Sequence, residues 1–106
     1  MNLFLRRLRL VIVEFSIVPL GTGSTSLSEY VTEACRIVKE SGFHFMITPM
    51  GTIMETGTLS EAFRVIQEAH EAVLKKGASR VSTTIKVDDR RDVVRSMEDK
   101  MRKIKL

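Results

Sequence analysis

Along this chain the period of the hydrophobic pattern switches from two to about 3.6 and back, twice over, and that order limits the folds open to it. Leu8–Val18 (LRLVIVEFSIV) is a β-branched and aromatic run, which reads as a strand. Proline and two glycines end it at Pro19-Leu20-Gly21-Thr22-Gly23. Ser26-Leu27-Ser28-Glu29 has the spacing of a capping box, and Leu27, Tyr30, Val31, Ala34, Ile37 and Val38 follow at helical intervals until Gly42. Phe43–Thr48 and Thr52–Thr56 read as a hairpin turned by Pro49-Met50-Gly51. A second capping box, Thr58-Leu59-Ser60-Glu61, opens a helix carrying Ala62, Phe63, Ile66, Ala69, His70, Val73 and Leu74. Lys75 and Lys76, then Gly77, suit the negative end of that helix. Ser79–Val87 alternates strictly, and Met97, Met101 and Ile104 mark a short basic helix at the end.

The order β-α-β-β-α-β plus a terminal helix, with two right-handed crossovers, gives a four-stranded antiparallel sheet with strand order 4-1-3-2. The expected class is therefore α+β: a ferredoxin-like βαββαβ sandwich with an extra C-terminal helix, in a single domain covering residues 1–106. A chain of 106 residues with no long linker suits one core.

Strand alternation then sorts the side chains by face. Val11, Val13, Phe15 and Ile17 share the helix side with Val81, Thr83, Ile85 and Val87. Glu14 and Ser16 share the opposite, helix-free side with Ser82, Thr84 and Lys86. On the third strand, turning Met54 to the helices takes Thr52 with it and leaves Glu55 on the open side. That orientation is preferred, because a buried unpaired carboxylate is costly. Leu10, Ile12 and Val18 among hydroxyls and a carboxylate make the open face a surface for self-association, with homo-oligomers usually closed and symmetric. Glu14 beside Ser16 can orient a heteroaromatic ring or an amine, or act as a base; an ion pair with Arg80 or Lys86 is the plainer use.

Charge and motif content exclude several functions. Three of 17 basic residues lie in the first nine positions and four in the last seven, so ten face 13 acidic ones and the body carries about −3. No nucleic-acid partner is expected: the third strand has no aromatic on which bases would stack. The loop after the first strand has glycines but neither the lysine of a P-loop nor an arginine to cradle phosphate. His44 and His70 stand in no ligand-spaced pair, so no metal and no cofactor is expected. The one cysteine, Cys35, reads as a small apolar residue on a helix and suits a reducing, cytoplasmic setting. No apolar run approaches the ~20 residues of a membrane span.

Four segments together resemble the small thiamine-binding protein family. They are Val13–Gly23 (VEFSIVPLGTG), Pro49–Glu55 (PMGTIME), Lys76–Val81 (KGASRV) and Ile85–Arg91 (IKVDDRR), in that order within Leu10–Leu106. The resemblance implies a non-enzymatic protein that assembles as dimers and tetramers and binds thiamine or its hydroxymethylpyrimidine half. Ser16, Thr52 and Glu55 match polar positions of the family's motifs. On that reading Glu14 or Glu55 pairs with the aminopyrimidine or offsets the thiazolium charge, and Ser16, Thr52 and Thr84 supply hydroxyls. Arg80, Arg90 and Arg91 would form ion pairs between subunits. Two other readings stand beside it: a structural or regulatory homo-oligomer without ligand, and a hydrolase of a thiamine breakdown product using Glu14 or Glu55 as base.

Overall fold

The computed structural model describes residues 9–106. The expected strand start at Leu8, and the basic residues Arg6 and Arg7, lie outside the described residues. Four strands, β1 (Val11–Leu20), β2 (Phe45–Thr48), β3 (Gly51–Thr56) and β4 (Arg80–Asp89), form one antiparallel sheet in the order β2-β3-β1-β4. Helices α1 (Ser28–Glu40) and α2 (Leu59–Lys76) are the two crossovers, and α3 (Met97–Arg102) follows β4. This is the ferredoxin-like arrangement, with the strand order that the chain's periodicity implies.

The core forms where central β1 meets the helices. Val11, Val13, Phe15 and Ile17 are buried against Met54 of β3, Ala34 and Val38 of α1, and Ala62, Val65, Ile66, Ala69 and Val73 of α2. Small alanines on the helices let the backbones approach the sheet, where β-branched strand residues fill the layer. Phe63, expected in the α2 stripe, is 44% exposed. It lies on the flank of the face centred on Ala62, Val65, Ile66, Ala69 and Val73. Edge strand β4 is less covered: Ile85 and Val87 point to the helix side with their β1 partners Phe15 and Val13, yet both are exposed. One polar tie reaches this strand, from His70 Nδ1 on α2 to Thr83 Oγ1 at 2.7 Å.

The helix ends separate two sequence signals that look alike. At α2 the expected cap forms: the Thr58 hydroxyl accepts from Glu61 N at 3.1 Å. At α1 it does not, because the helix begins at Ser28 with Leu27 in the capping position and no side-chain cap. Instead, Ser24 Oγ accepts from Ser26 N at 3.0 Å, so the serines there shape the preceding loop. Glycines at positive φ follow both helices, Gly42 at 81° and Gly77 at 130°, a conformation that a Cβ disfavours. Thr58→Ala is expected to cost about 1 kcal/mol through the lost cap, read as a lower urea midpoint with unchanged slope, whereas Ser26→Ala leaves α1 unaffected.

Candidate functional site

Register places the polar residues of the sheet. Ile12 stands opposite Glu55, and Glu14 opposite Ile53 on β3 and Lys86 on β4; Ser16 faces Thr84, and Val18 faces Ser82. Residues directly opposite share a face. Glu14, Ser16, Glu55 and Thr84 therefore all lie on the side away from α1 and α2, as the alternation implies. Thr52 pairs with Phe15 and turns to the helix side with Met54, 7% exposed.

That second face is not helix-free. The chain leaves β4 at Asp89, beside Val11 at one end of β1, and α3 lies back across this end. Its start is fixed by a capping box: Ser96 Oγ accepts from Asp99 N, and Asp99 Oδ2 accepts from Ser96 N, both at 3.1 Å. Glu55 accepts a hydrogen bond from Met97 N, so its carboxylate, expected in an open chamber, is 8% exposed beneath the helix. Glu98 pairs with His44, and Lys100 with Asp88. The hydrogen bond that Glu98 accepts from His44 holds the His44 imidazole above its usual range and Glu98 below the usual carboxylate range. Only Met97 of the expected α3 stripe is buried; Met101 and Ile104 are exposed. Glu14, Ser16 and Thr84 remain on the uncovered part of the sheet.

The arginines expected between subunits are partly engaged within the chain. Arg90 pairs with Asp92 at 2.7 Å and Arg91 with Asp89 at 2.9 Å, and Arg9 also reaches Asp89 at 3.2 Å. Arg90 holds the Asp92 carboxyl down at about 2. Glu14 makes no ion pair among the described residues, so the expected bridge to Arg80 or Lys86 does not form.

A cleft opens at the other end of β1. β3 begins at Gly51 and its pairing with β1 ends at Phe15–Thr52, whereas β1 runs on to Leu20 with β4 alone beside it. The free edge of β1, α1 and the hairpin turn enclose a cleft of about 190 Å³. Phe15, Ile17, Val31 and Ala34 supply apolar walls, and Pro49 and Met50 overhang it from the turn. Ser16 and Val18 also line it, because no strand closes that edge. Three hydroxyl-bearing residues are among the lining: Ser16 from the open face at the free edge of β1, Thr48 at the turn, and Thr52 from the helix side. Thr48 is already occupied, donating to Gly51 O at 2.9 Å and accepting from Gly51 N at 3.1 Å. The hydroxyls of Ser16 and Thr52 have no hydrogen-bond partner among the described residues, so both are free for a ligand. Apart from the Cys35 thiol, no lining side chain is ionisable.

The structure thus divides the five residues singled out from sequence. Ser16 and Thr52 both line the cleft, from opposite faces of the sheet, Glu14 and Thr84 flank Ser16 on the open sheet, and Glu55 lies at the opposite end under α3. The cleft walls from Val31 to Cys35 had no functional signal in the sequence: at helical spacing they read as core, and Cys35 was expected as an ordinary buried apolar residue. It is half-buried and borders the cleft. Among the described residues, no helix is long and apolar enough to cross a membrane.

Comparison with known proteins places this arrangement in a wider set. A UPF0045 protein of Methanothermobacter thermautotrophicus is 44% identical over 96 residues, covering 91% of this chain and 97% of the relative. The UPF0045 protein YqgV of Bacillus subtilis is 39% identical over 99 residues, 90% of this chain and 94% of its own. Among solved structures, a hypothetical protein from Methanocaldococcus jannaschii superposes with a TM-score of 0.80 at 37% identity, covering 89% of this chain and 94% of that one. A candidate thiamine biosynthesis/salvage protein from Thermotoga maritima shares the fold with a TM-score of 0.75 at 21% identity, covering 89% and 97%. The family model described as thiamine-binding protein matches residues 13–105, nearly all of the chain, and the chain therefore belongs to that family.

Proposed function

We propose that this protein binds thiamine or its hydroxymethylpyrimidine half without transforming it, in the cytoplasm and as a homo-oligomer. The observation that carries the reading is the cleft at the free edge of β1, in a chain of this family, with the unpartnered hydroxyls of Ser16 and Thr52 on otherwise apolar walls. Such a lining favours a neutral, flat ring whose nitrogens meet two hydroxyls, and disfavours phosphate, which needs cations or an array of N–H donors. At about 190 Å³ the cleft is smaller than pockets for drug-sized ligands, ~300–1,000 Å³, and so takes one ring. The thiazolium half would then leave across the free edge toward Glu14, about 7 Å along the strand from Ser16 and on the same face. The carboxylate expected to pair with the aminopyrimidine would instead offset the charge of the second ring. The thiamine biosynthesis/salvage description of the Thermotoga maritima structure agrees with this ligand class. The cleft lining itself carries no carboxylate or imidazole, which supports a reading of binding rather than acid–base chemistry.

Calorimetry with hydroxymethylpyrimidine and with thiamine tests the reading. Saturable binding of both is expected. The Ser16→Ala/Thr52→Val pair would weaken both ligands about tenfold or more, the equivalent of one to two hydrogen bonds. Glu14→Gln would weaken thiamine alone. Absence of heat with either ligand would favour the ligand-free oligomer instead. That second reading rests on the apolar side chains left uncovered on the sheet, Val18 and Met46 among them, 37% and 44% exposed. Product formed from bound ligand over hours would favour the hydrolase.

A further inference from the structure

We propose that His44, Glu55 and Glu98 form a site for one divalent transition-metal ion of the zinc or cobalt class, which clasps α3 to the sheet. The three come from separate parts of the fold: His44 just before β2, Glu55 within β3, and Glu98 in the first turn of α3. One donor atom of each, the imidazole nitrogen and two carboxylate oxygens, lie within 4.8 Å of one another. Backbone pairing sets the first two, since Glu55 N donates to His44 O at 3.0 Å. The third follows from the docking of α3: Glu55 accepts from Met97 N, and the next residue, Glu98, is thereby delivered to His44.

Coordination chemistry fits this donor set. Zinc binds imidazole nitrogen and carboxylate oxygen at about 2.0–2.2 Å, which places neighbouring ligands about 3–3.5 Å apart. The cluster reaches that spacing by modest movement of His44 and Glu98, whose side chains are 53% and 42% exposed. Glu55, more than nine-tenths buried, is the fixed ligand. One of its oxygens is held by Met97 N, and its carboxylate makes no other hydrogen bond among the described residues. Without an ion, two carboxylates converge on a single imidazole, which compensates one of them at most. An imidazole with two carboxylates suits zinc, cobalt or nickel better than calcium or magnesium, which take all-oxygen shells. The helix end beside the site is no obstacle, because Ser96 and Glu55 already take the N–H groups of Asp99 and Met97.

The test uses the full-length chain, stripped with chelator and free of thiamine, so that its outcome is independent of the pyrimidine reading. Titration with Zn²⁺ by calorimetry, and with Co²⁺ by visible absorption, is expected to show one ion per chain. His44→Ala and Glu98→Gln should each weaken binding at least tenfold, whereas His70→Gln, at the other histidine, should not. Zinc should also raise the melting temperature of the native chain, reversibly with EDTA, and leave that of the His44→Ala/Glu98→Gln variant unchanged. Both substitutions lie at exposed positions, and circular dichroism checks that the variants remain folded. Absence of saturable uptake by the native chain, or uptake unchanged in the double variant, would overturn the proposal.

Discussion

Met54→Ala is expected to destabilise the protein by about 2–5 kcal/mol, the range for removing a fully buried methionine from a core that cannot close over the void. Met54 is 0% exposed at the centre of β3, directly opposite Val13 and adjacent to Phe45 of β2. The β-branched Val13 and the ring of Phe45 on the neighbouring strands have little freedom to move into the space, which puts the cost in the upper part of the range. Whole domains are stable by only ~5–15 kcal/mol. Each kilocalorie lowers the melting temperature of a domain near this size by about 4–8 °C, so a fall of more than ~10 °C is expected by calorimetric scanning. Met54→Leu conserves volume and should cost less than ~1.5 kcal/mol. Equal losses from alanine and leucine would mean that the core is not packed around this side chain.

Gly51→Ala is expected to damage both the fold and the cleft. A Cβ at Gly51 would stand 2.8 Å from the Phe15 carbonyl oxygen and 3.5 Å from its carbonyl carbon. The obstructing atoms are backbone of the central strand, so relief requires β3 to lift away from β1 where the cleft begins. Overpacking of this kind costs about 1–3 kcal/mol. The same displacement moves the turn carrying Pro49 and Met50, and with it the cleft mouth. Hydroxymethylpyrimidine binding should therefore fall at least tenfold, measured by calorimetry well below the variant's melting temperature. Met50→Ala, at a side chain 86% exposed on the same turn, provides the comparison: stability should stay within ~0.5 kcal/mol of the native chain. An alanine at 51 that left both stability and binding intact would show that β3 does not approach β1 as described.

How much of this was readable in advance depends on the range of the interaction concerned. The alternation of Val11, Val13, Phe15 and Ile17 followed from strand periodicity, because one buried face admits only one register. The facing of Met54 and Glu55 rested instead on the cost of burying an unpaired carboxylate, and Glu55 is buried with Met97 N as its partner. Thr58-Leu59-Ser60-Glu61 capped its helix, while Ser26-Leu27-Ser28-Glu29 did not. The same spacing had two outcomes because serines also bond to nearby loop backbone. The open-face residues Glu14, Ser16 and Thr84 were placed correctly relative to one another. Glu55 could not be recognised as the acceptor for the α3 N-terminus, since its partner Met97 lies 42 positions away.

The sequence by itself determined the order of elements, the sheet topology and the face on which each strand residue lies, because these depend on periods of two and 3.6 and on the handedness of crossovers. Tertiary structure alone decided that α3 closes one end of the second face and that β3 stops short of β1 to leave a cleft. It also decided that His44, Glu55 and Glu98 meet. Those features arise from relative strand lengths in the assembled sheet and from the docking of a short helix whose own residues carry too little apolar pattern to state where it packs.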